Sequence, residues 1–247
     1  MFMKKFLILY YLILAPVITQ TVTYHKVDKN QINGYLALPK DKDQNIPGII
    51  LIHEWWGLND DIREKADYFA SQGYAALAVD LYNGESTIKA SKARQLAGNV
   101  RDNMDEAFTN LKAALEFIKK QPGVDSQKLA SIGWCFGGGW SYQLAKNNLS
   151  VKASVIYYGR FNPKDDLKKM RANIIGHFAK EDRGISVDSV KEFEAVLKTH
   201  NGNHNIYIYP NTTHGFASRP GDNPNFNKTA SDLALKRTLT FLKKSLN

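Results

Sequence analysis

Apolar positions along this chain follow two alternating rhythms. Continuous short runs at residues 49–52, 74–79, 129–134, 151–157, 173–178 and 205–209 predict strands buried on both faces. Between them lie segments with helical spacing. Residues 61–72 carry Ile62, Ala66, Phe69 and Ala70 on one face and stop at Gly73. Residues 87–120 read as helix broken near Gly98, and the second half places Met104, Ala107, Phe108, Leu111, Ala114, Leu115 and Ile118 on one buried side. A helix starts around Trp140, and residues 186–200 and 229–244 form two more. Before all of these, residues 22–27 and 32–38 alternate in the two-residue period of an antiparallel hairpin turning at residues 28–30. Strands alternating with helices predict right-handed crossovers and a mostly parallel central sheet with helices on both faces. In such sheets, sites gather at the carboxyl ends of the strands. Glu54, Asp80, Cys135, Tyr158, Asp182 and His214 all fall just after predicted strands.

Composition narrows the class. A chain of 247 residues, 43% hydrophobic and 23% charged, fits one soluble α/β domain with a single substantial core. The formal charge is +9, but the lysines are dispersed, with only short pairs such as Lys119-Lys120 and Lys243-Lys244. No nucleic-acid motif accompanies them, so the expectation is a basic solvated surface, weakly favouring anionic substrates, and no nucleic-acid partner. The N-terminus stands apart. Lys4-Lys5 precede an apolar stretch, residues 6–18, too short to span a bilayer, and polar residues follow from Thr19. This predicts an export signal over residues 1–20, an exported, periplasmic protein with no other membrane span, and a single domain over 21–247. An uncleaved N-terminal anchor is the alternative.

The chemistry centres on Gly133-Trp134-Cys135-Phe136-Gly137, the end of one strand and the start of a helix. This is the G-x-S-x-G nucleophile elbow with sulfur in place of oxygen. Residues without a Cβ let strand and helix pass closely while the nucleophile sits at an unfavourable backbone angle. Cys135 is the chain's one cysteine, so no internal disulfide competes for it. A thiol attacks carbon as thiolate and needs a base, best a histidine held by a carboxylate. In the order nucleophile, acid, histidine, the candidates are Asp182 and His214, each in a loop after a predicted strand. Glu181 competes with Asp182, which has an alternative use as a turn residue before Gly184. His177 reads as a satisfied core histidine; His25, His200 and His204 read as solvated. Backbone N–H groups of Phe136 and of Trp55 would form the oxyanion hole. Trp55, Trp56, Tyr82, Trp134, Tyr158 and Phe216 are candidates for lining an apolar pocket, with core packing as the alternative for at least half of them.

These motifs, with His53-Glu54-Trp55-Trp56-Gly57, Asp80-Leu81-Tyr82 and His214-Gly215-Phe216, resemble the dienelactone hydrolase family of α/β-hydrolases from about residue 22 to the C-terminus. The resemblance implies an α/β-hydrolase fold and a Cys135, Asp182, His214 triad. It also implies that Glu54 bonds the resting thiol and takes its proton when substrate binds; a strand-end salt bridge or cap is the alternative. Members of the family hold a substrate carboxylate with arginines. Where those would stand, this chain has Asn83-Gly84-Glu85 and Ser218, with Arg219 one place late; Arg219, Arg160 and Arg183 are the candidates to replace them. The implied activity is hydrolysis of small esters or lactones through a thioester, with no metal and no cofactor, by a monomer or small homo-oligomer. Another acyl bond (aryl ester, thioester or small amide), a non-catalytic small-molecule binder and a thiol redox protein are the competing readings.

Overall fold

The computed structural model describes residues 15–27, 29–40, 45–219 and 223–247. Most of the expected export segment, residues 1–14, therefore lies outside the described residues, as does Asp28 of the hairpin turn. The chain opens with β1 (Val17–Val27) and β2 (Asn30–Pro39), paired antiparallel from Val17↔Pro39 to Val27↔Asn30. Both strands are longer than their alternation predicts. Then follow β3 (Ile46–Ile52), α1 (Asp60–Ser71), β4 (Ala75–Val79), α2 (Ala90–Asp102), α3 (Met104–Lys119), β5 (Val124–Trp134) and α4 (Phe136–Lys146). The second half runs β6 (Ala153–Tyr157), β7 (Asn173–Ala179), α5 (Val187–Lys198), β8 (Asn205–Tyr209) and α6 (Lys228–Leu246). One eight-stranded sheet results, in the order β1-β2-β4-β3-β5-β6-β7-β8. β2 runs antiparallel to β4, and every pairing from β4 through β8 is parallel.

The continuous apolar runs are explained by two cores. Successive residues of a strand point to opposite faces. Ile50 and Ile52 pack with Leu96 of α2, Leu111 and Leu115 of α3, Leu144 of α4 and Phe193 of α5. Ile49 and Leu51 pack on the other face with Ile62 and Phe69 of α1 and Phe241 and Leu242 of α6. Both faces are covered, so β3 and β4 have almost no polar positions to spare.

The break in the long helical segment falls at Asn103 and not near Gly98. Asn103 leaves the helical region (φ −121, ψ 58), and both its backbone N–H (3.1 Å) and its side-chain Nδ2 (2.8 Å) donate to the Asn99 carbonyl. An asparagine able to take over a terminal carbonyl in this way ends a helix more firmly than an interior glycine does. Gly98 sits inside α2 facing open space. The break also turns Met104 outward: it is 40% exposed, not part of the buried face.

Candidate active site

Cys135 sits between β5 and α4 with φ 53 and ψ −111, a conformation L-residues rarely adopt. Close approach holds it there. A Cβ on Gly133 would come within 2.0 Å of the Gly137 carbonyl oxygen, and one on Gly137 within 2.1 Å of the Ile52 carbonyl oxygen. The first turn of α4 thus crosses directly over the ends of β5 and β3. The Cys135 N–H donates to the Tyr157 carbonyl (2.9 Å), which ties the turn to β6.

The loops after β7 and β8 are zipped together. Lys180 N–H donates to Tyr209 O (2.9 Å) and Glu181 N–H to Thr212 O (3.0 Å). That pairing brings Asp182 to His214. Asp182 Oδ2 lies 2.7 Å from His214 Nδ1, and His214 Nε2 lies 3.0 Å from Cys135 Sγ. The Asp182 side chain is 2% exposed, and its other oxygen accepts from the Gly184 and Ile185 N–H groups at 2.8 and 3.2 Å. Glu181 is exposed, and the imidazole Nδ1 is taken by Asp182.

Electrostatics follow from the geometry. Burial works against a charge on His214, but the hydrogen bonds to Asp182 and Cys135 outweigh it and push its pKa up to about 10. Burial would likewise raise the Asp182 carboxyl; its bond to His214 prevails and holds it below the ordinary carboxylate value. Three asparagines after the histidine brace its loop. Asn225 Nδ2 donates to His214 O (3.0 Å), Asn223 Nδ2 to Gly215 O (2.7 Å), and Asn227 N–H to Phe216 O (2.9 Å).

Glu54 is buried at the end of β3, but the thiol bonds His214 instead. Glu54 Oε1 accepts from Ser218 Oγ (2.6 Å) and Tyr158 Oη (3.3 Å). Burial, opposed by the Ser218 bond, raises its pKa. Tyr158 links the two groups: its ring meets the His214 ring edge-on at 5.2 Å. Its φ of 38 is again in the region L-residues avoid. His53, fully buried, spans two loops. Its Nε2 accepts from Leu81 N–H (3.2 Å), leaving Nδ1 to donate to Glu54 O, and burial keeps the ring neutral. Asp80, also after a strand, bonds the Tyr82 N–H (2.7 Å) and shapes its own turn. Phe136 is the first residue of α4, so its N–H is among the donors a helix start leaves without an intrahelical acceptor. Trp55 lies in the loop after β3 beside the same cavity.

Cys135 and His214 open onto a cavity of about 870 Å³. Of the sequence candidates, Trp55, Tyr158, Arg160 and Arg183 line it, whereas Trp134, Phe216, Tyr82, Trp56 and Arg219 do not. Trp134 points to the opposite core and stacks on Tyr157 at 5.3 Å. Phe216 is wholly buried between Tyr158 and Tyr209. Tyr82 packs beneath Phe136 against His53. Trp56 leans on Trp55 at 4.7 Å, and Arg219 pairs with Glu64 at 3.2 Å. The rest of the cavity wall is built from Phe136, Trp140 and Ile185, with Arg94 and Arg101. Arg94 and Arg101 escaped the sequence reading, although their spacing of two helical turns is visible in α2. His204 was expected to be solvated but is half-buried: its Nδ1 accepts from Ile174 N–H (3.2 Å), and burial lowers its pKa. His177 is a satisfied core histidine, bonded to Tyr209 Oη (2.9 Å) and Thr238 Oγ1 (3.0 Å). Among the described residues, no group of three or more His, Cys, Asp or Glu is placed to hold a metal ion, and no helix is long and apolar enough to cross a membrane.

This strand order, with a tight strand-to-helix turn after β5 and loops after β7 and β8 meeting over it, defines an α/β-hydrolase. The chain belongs to the dienelactone hydrolase family, whose model matches residues 32–246. It is 31% identical to Protein usf of Aquifex pyrophilus over 192 residues, which covers 75% of this chain and 82% of that relative. Among solved structures, a dienelactone hydrolase-like promiscuous phosphotriesterase from metagenomic libraries aligns with a TM-score of 0.83 at 22% identity, covering 94% of this chain and 99% of that one. The propionate-bound esterase 2 of Thermogutta terrifontis aligns at 0.65 with 16% identity, covering 90% and 94%. Family membership makes the chain a hydrolase acting on ester bonds.

Proposed function

We propose that the protein hydrolyses small esters or lactones with Cys135 as nucleophile, through a thioester. The observation that carries this is the continuous line Sγ to Nε2 (3.0 Å) and Nδ1 to Oδ2 (2.7 Å), anchored on a residue held at φ 53 and facing the cavity. His214 takes the thiol proton and, with Asp182 bonded to its far nitrogen, remains as imidazolium beside the thiolate. Sulfur attacks the carbonyl carbon. The negative charge that develops on the carbonyl oxygen is held by the Trp55 and Phe136 N–H groups. As the C–O bond breaks, the imidazolium protonates the leaving oxygen and a thioester remains on Cys135. In a lactone the leaving oxygen stays tethered to the acyl group. Water, deprotonated by His214, then attacks the thioester and releases the acid.

Chromogenic acetates and enol lactones test this reading. Cys135→Ala and His214→Ala are each expected to lose on the order of 10³-fold or more in kcat; wild-type turnover by Cys135→Ala overturns it. Aryl esters, thioesters, small amides and a phosphotriester belong on the same panel, since one structural neighbour is titled a phosphotriesterase. Glu54 we assign as a second carboxyl group of the site, acting through its bonds to Tyr158 and Ser218. Glu54→Gln keeps its shape and is expected to lower kcat by roughly 10²-fold. An unaltered kcat would leave Glu54 only a packing role. We also propose export to the periplasm. Since β1 pairs from Val17 onward, processing before that residue keeps the hairpin whole. The mass of the protein recovered from a periplasmic fraction tests both points.

A further inference from the structure

His53 follows β3 directly, is wholly buried, and stands outside the line of Cys135, His214 and Asp182. Its two ring nitrogens are committed in opposite senses. Nε2 accepts from the Leu81 N–H at 3.2 Å, so the proton of a neutral ring sits on Nδ1, which donates to the Glu54 carbonyl at 2.5 Å. The turn that presents the Leu81 N–H is itself fixed. Tyr24 Oη accepts from the Asp80 N–H (3.1 Å), Asn110 Nδ2 donates to Asp80 O (2.9 Å), and the Asp80 carboxylate accepts from the Tyr82 N–H (2.7 Å). Burial lowers the pKa of His53, which keeps the ring neutral and this tautomer in place.

The Glu54 carbonyl and the Trp55 N–H are the two ends of one peptide group. A trans peptide points them in opposite directions. The carbonyl end is held by His53 and also by the Gly57 N–H (3.3 Å). The N–H end therefore faces away from His53, and among the described residues it has no acceptor. A peptide whose carbonyl accepts a hydrogen bond is polarised, and its N–H donates more strongly, by roughly 10–30% per bond. His53 also touches the residue of the second donor: its ring stacks on the Phe136 ring at 5.8 Å and meets Tyr82 edge-on at 4.6 Å.

Resting on the proposed hydrolytic reading, with Trp55 and Phe136 as oxyanion donors, we infer that His53 is a positioning residue of the oxyanion hole. It aims and polarises the peptide between residues 54 and 55, so that the Trp55 N–H is set for the charge that develops on the substrate carbonyl oxygen. p-Nitrophenyl acetate and its thiono analogue, in which sulfur replaces the carbonyl oxygen, differ in how well that charge accepts from N–H groups. Relative to their alkaline hydrolysis, the wild type is expected to favour the oxo ester at least tenfold in kcat/KM. His53→Phe keeps a ring and removes both bonds. It should lower kcat on the oxo ester at least tenfold with KM within threefold, and cut the oxo preference at least fivefold. His53→Asn, whose amide overlies Nδ1, should restore at least half of that preference. Alkylation of Cys135 by iodoacetamide builds no oxyanion, and its rate should stay within twofold of wild type in both variants. Should His53→Phe not fold, His53→Gln takes its place, since its amide reaches the Nε2 position and leaves the Glu54 carbonyl without this donor. Equal losses on the two esters, or alkylation that slows in step with turnover, would leave His53 a packing role and overturn the inference. A wild type that cleaves both esters alike overturns it while the hydrolase stands. A wild type that cleaves neither overturns the hydrolytic reading, and the inference with it.

Discussion

Asp182 uses its two oxygens differently: one closes its own turn onto Gly184 and Ile185, and the other faces His214. The two readings open at the sequence level, turn residue and acid partner, are both satisfied because the turn is what aims the second oxygen. His214 is two-fifths exposed, so solvent screens its charge, but its pKa still rises from 6.5 to about 10. A group raised on folding stabilises fully below its unfolded value, and that contribution is lost as pH rises toward the folded one. The thermal-stability gap between wild type and His214→Gln is therefore expected to be widest near pH 6 and to close by pH 10. A gap that stays constant across that range would show that the imidazolium is not held by Asp182 and Cys135. The pocket residues were the least legible in the sequence. An aromatic next to a motif points to either face of its strand or into a loop, and only packing decided that Trp134 and Phe216 face away from the cavity while Trp140 lines it.

At the scale of elements, the crossing of α4 over the sheet is the most constrained feature. Gly137 and Gly139 look alike in sequence, two positions apart in one run. A Cβ on Gly137 would fall 2.1 Å from a β3 carbonyl, whereas one on Gly139 would meet nothing nearer than 3.4 Å. Gly137→Ala is expected to destabilise by ~3 kcal/mol or more, and Gly139→Ala to change stability by less than about 1 kcal/mol, helped by the better helix propensity of alanine. Urea unfolding of the two variants decides this, and equal effects would mean that the crossing is looser than its geometry indicates. The helix break at Asn103 carries the same lesson. Glycine marks helix weakness from sequence, but which residue captures the terminal carbonyl depends on local geometry. The Asn223, Asn225 and Asn227 bonds are comparable, since a polar loop composition does not reveal which backbone groups it will brace.

Across the whole molecule, stability at low pH should depend on His177. Burial pushes its pKa from 6.5 down to about 3, so the unfolded chain binds a proton that the folded one refuses. Its contribution is present above about 6.5 and is lost as pH falls toward 3. His177→Gln is expected to flatten the decline in melting temperature between pH 7 and pH 4, and an equally steep decline would place the acid sensitivity elsewhere. The two-sided apolar runs, the helical periods and the order of cysteine, acid and histidine along the chain were legible because each is a local pattern with its own spacing. They determined a parallel sheet with helices on both faces and named the residues at its carboxyl edge. Only the tertiary structure decided that the thiol meets His214 while Glu54 bonds Ser218 and Tyr158, and that arginines from α2 and two distant loops line one cavity. Those are relations between segments far apart in the chain, set by how loops pack and which charges are left facing a cavity, and no local spacing encodes them.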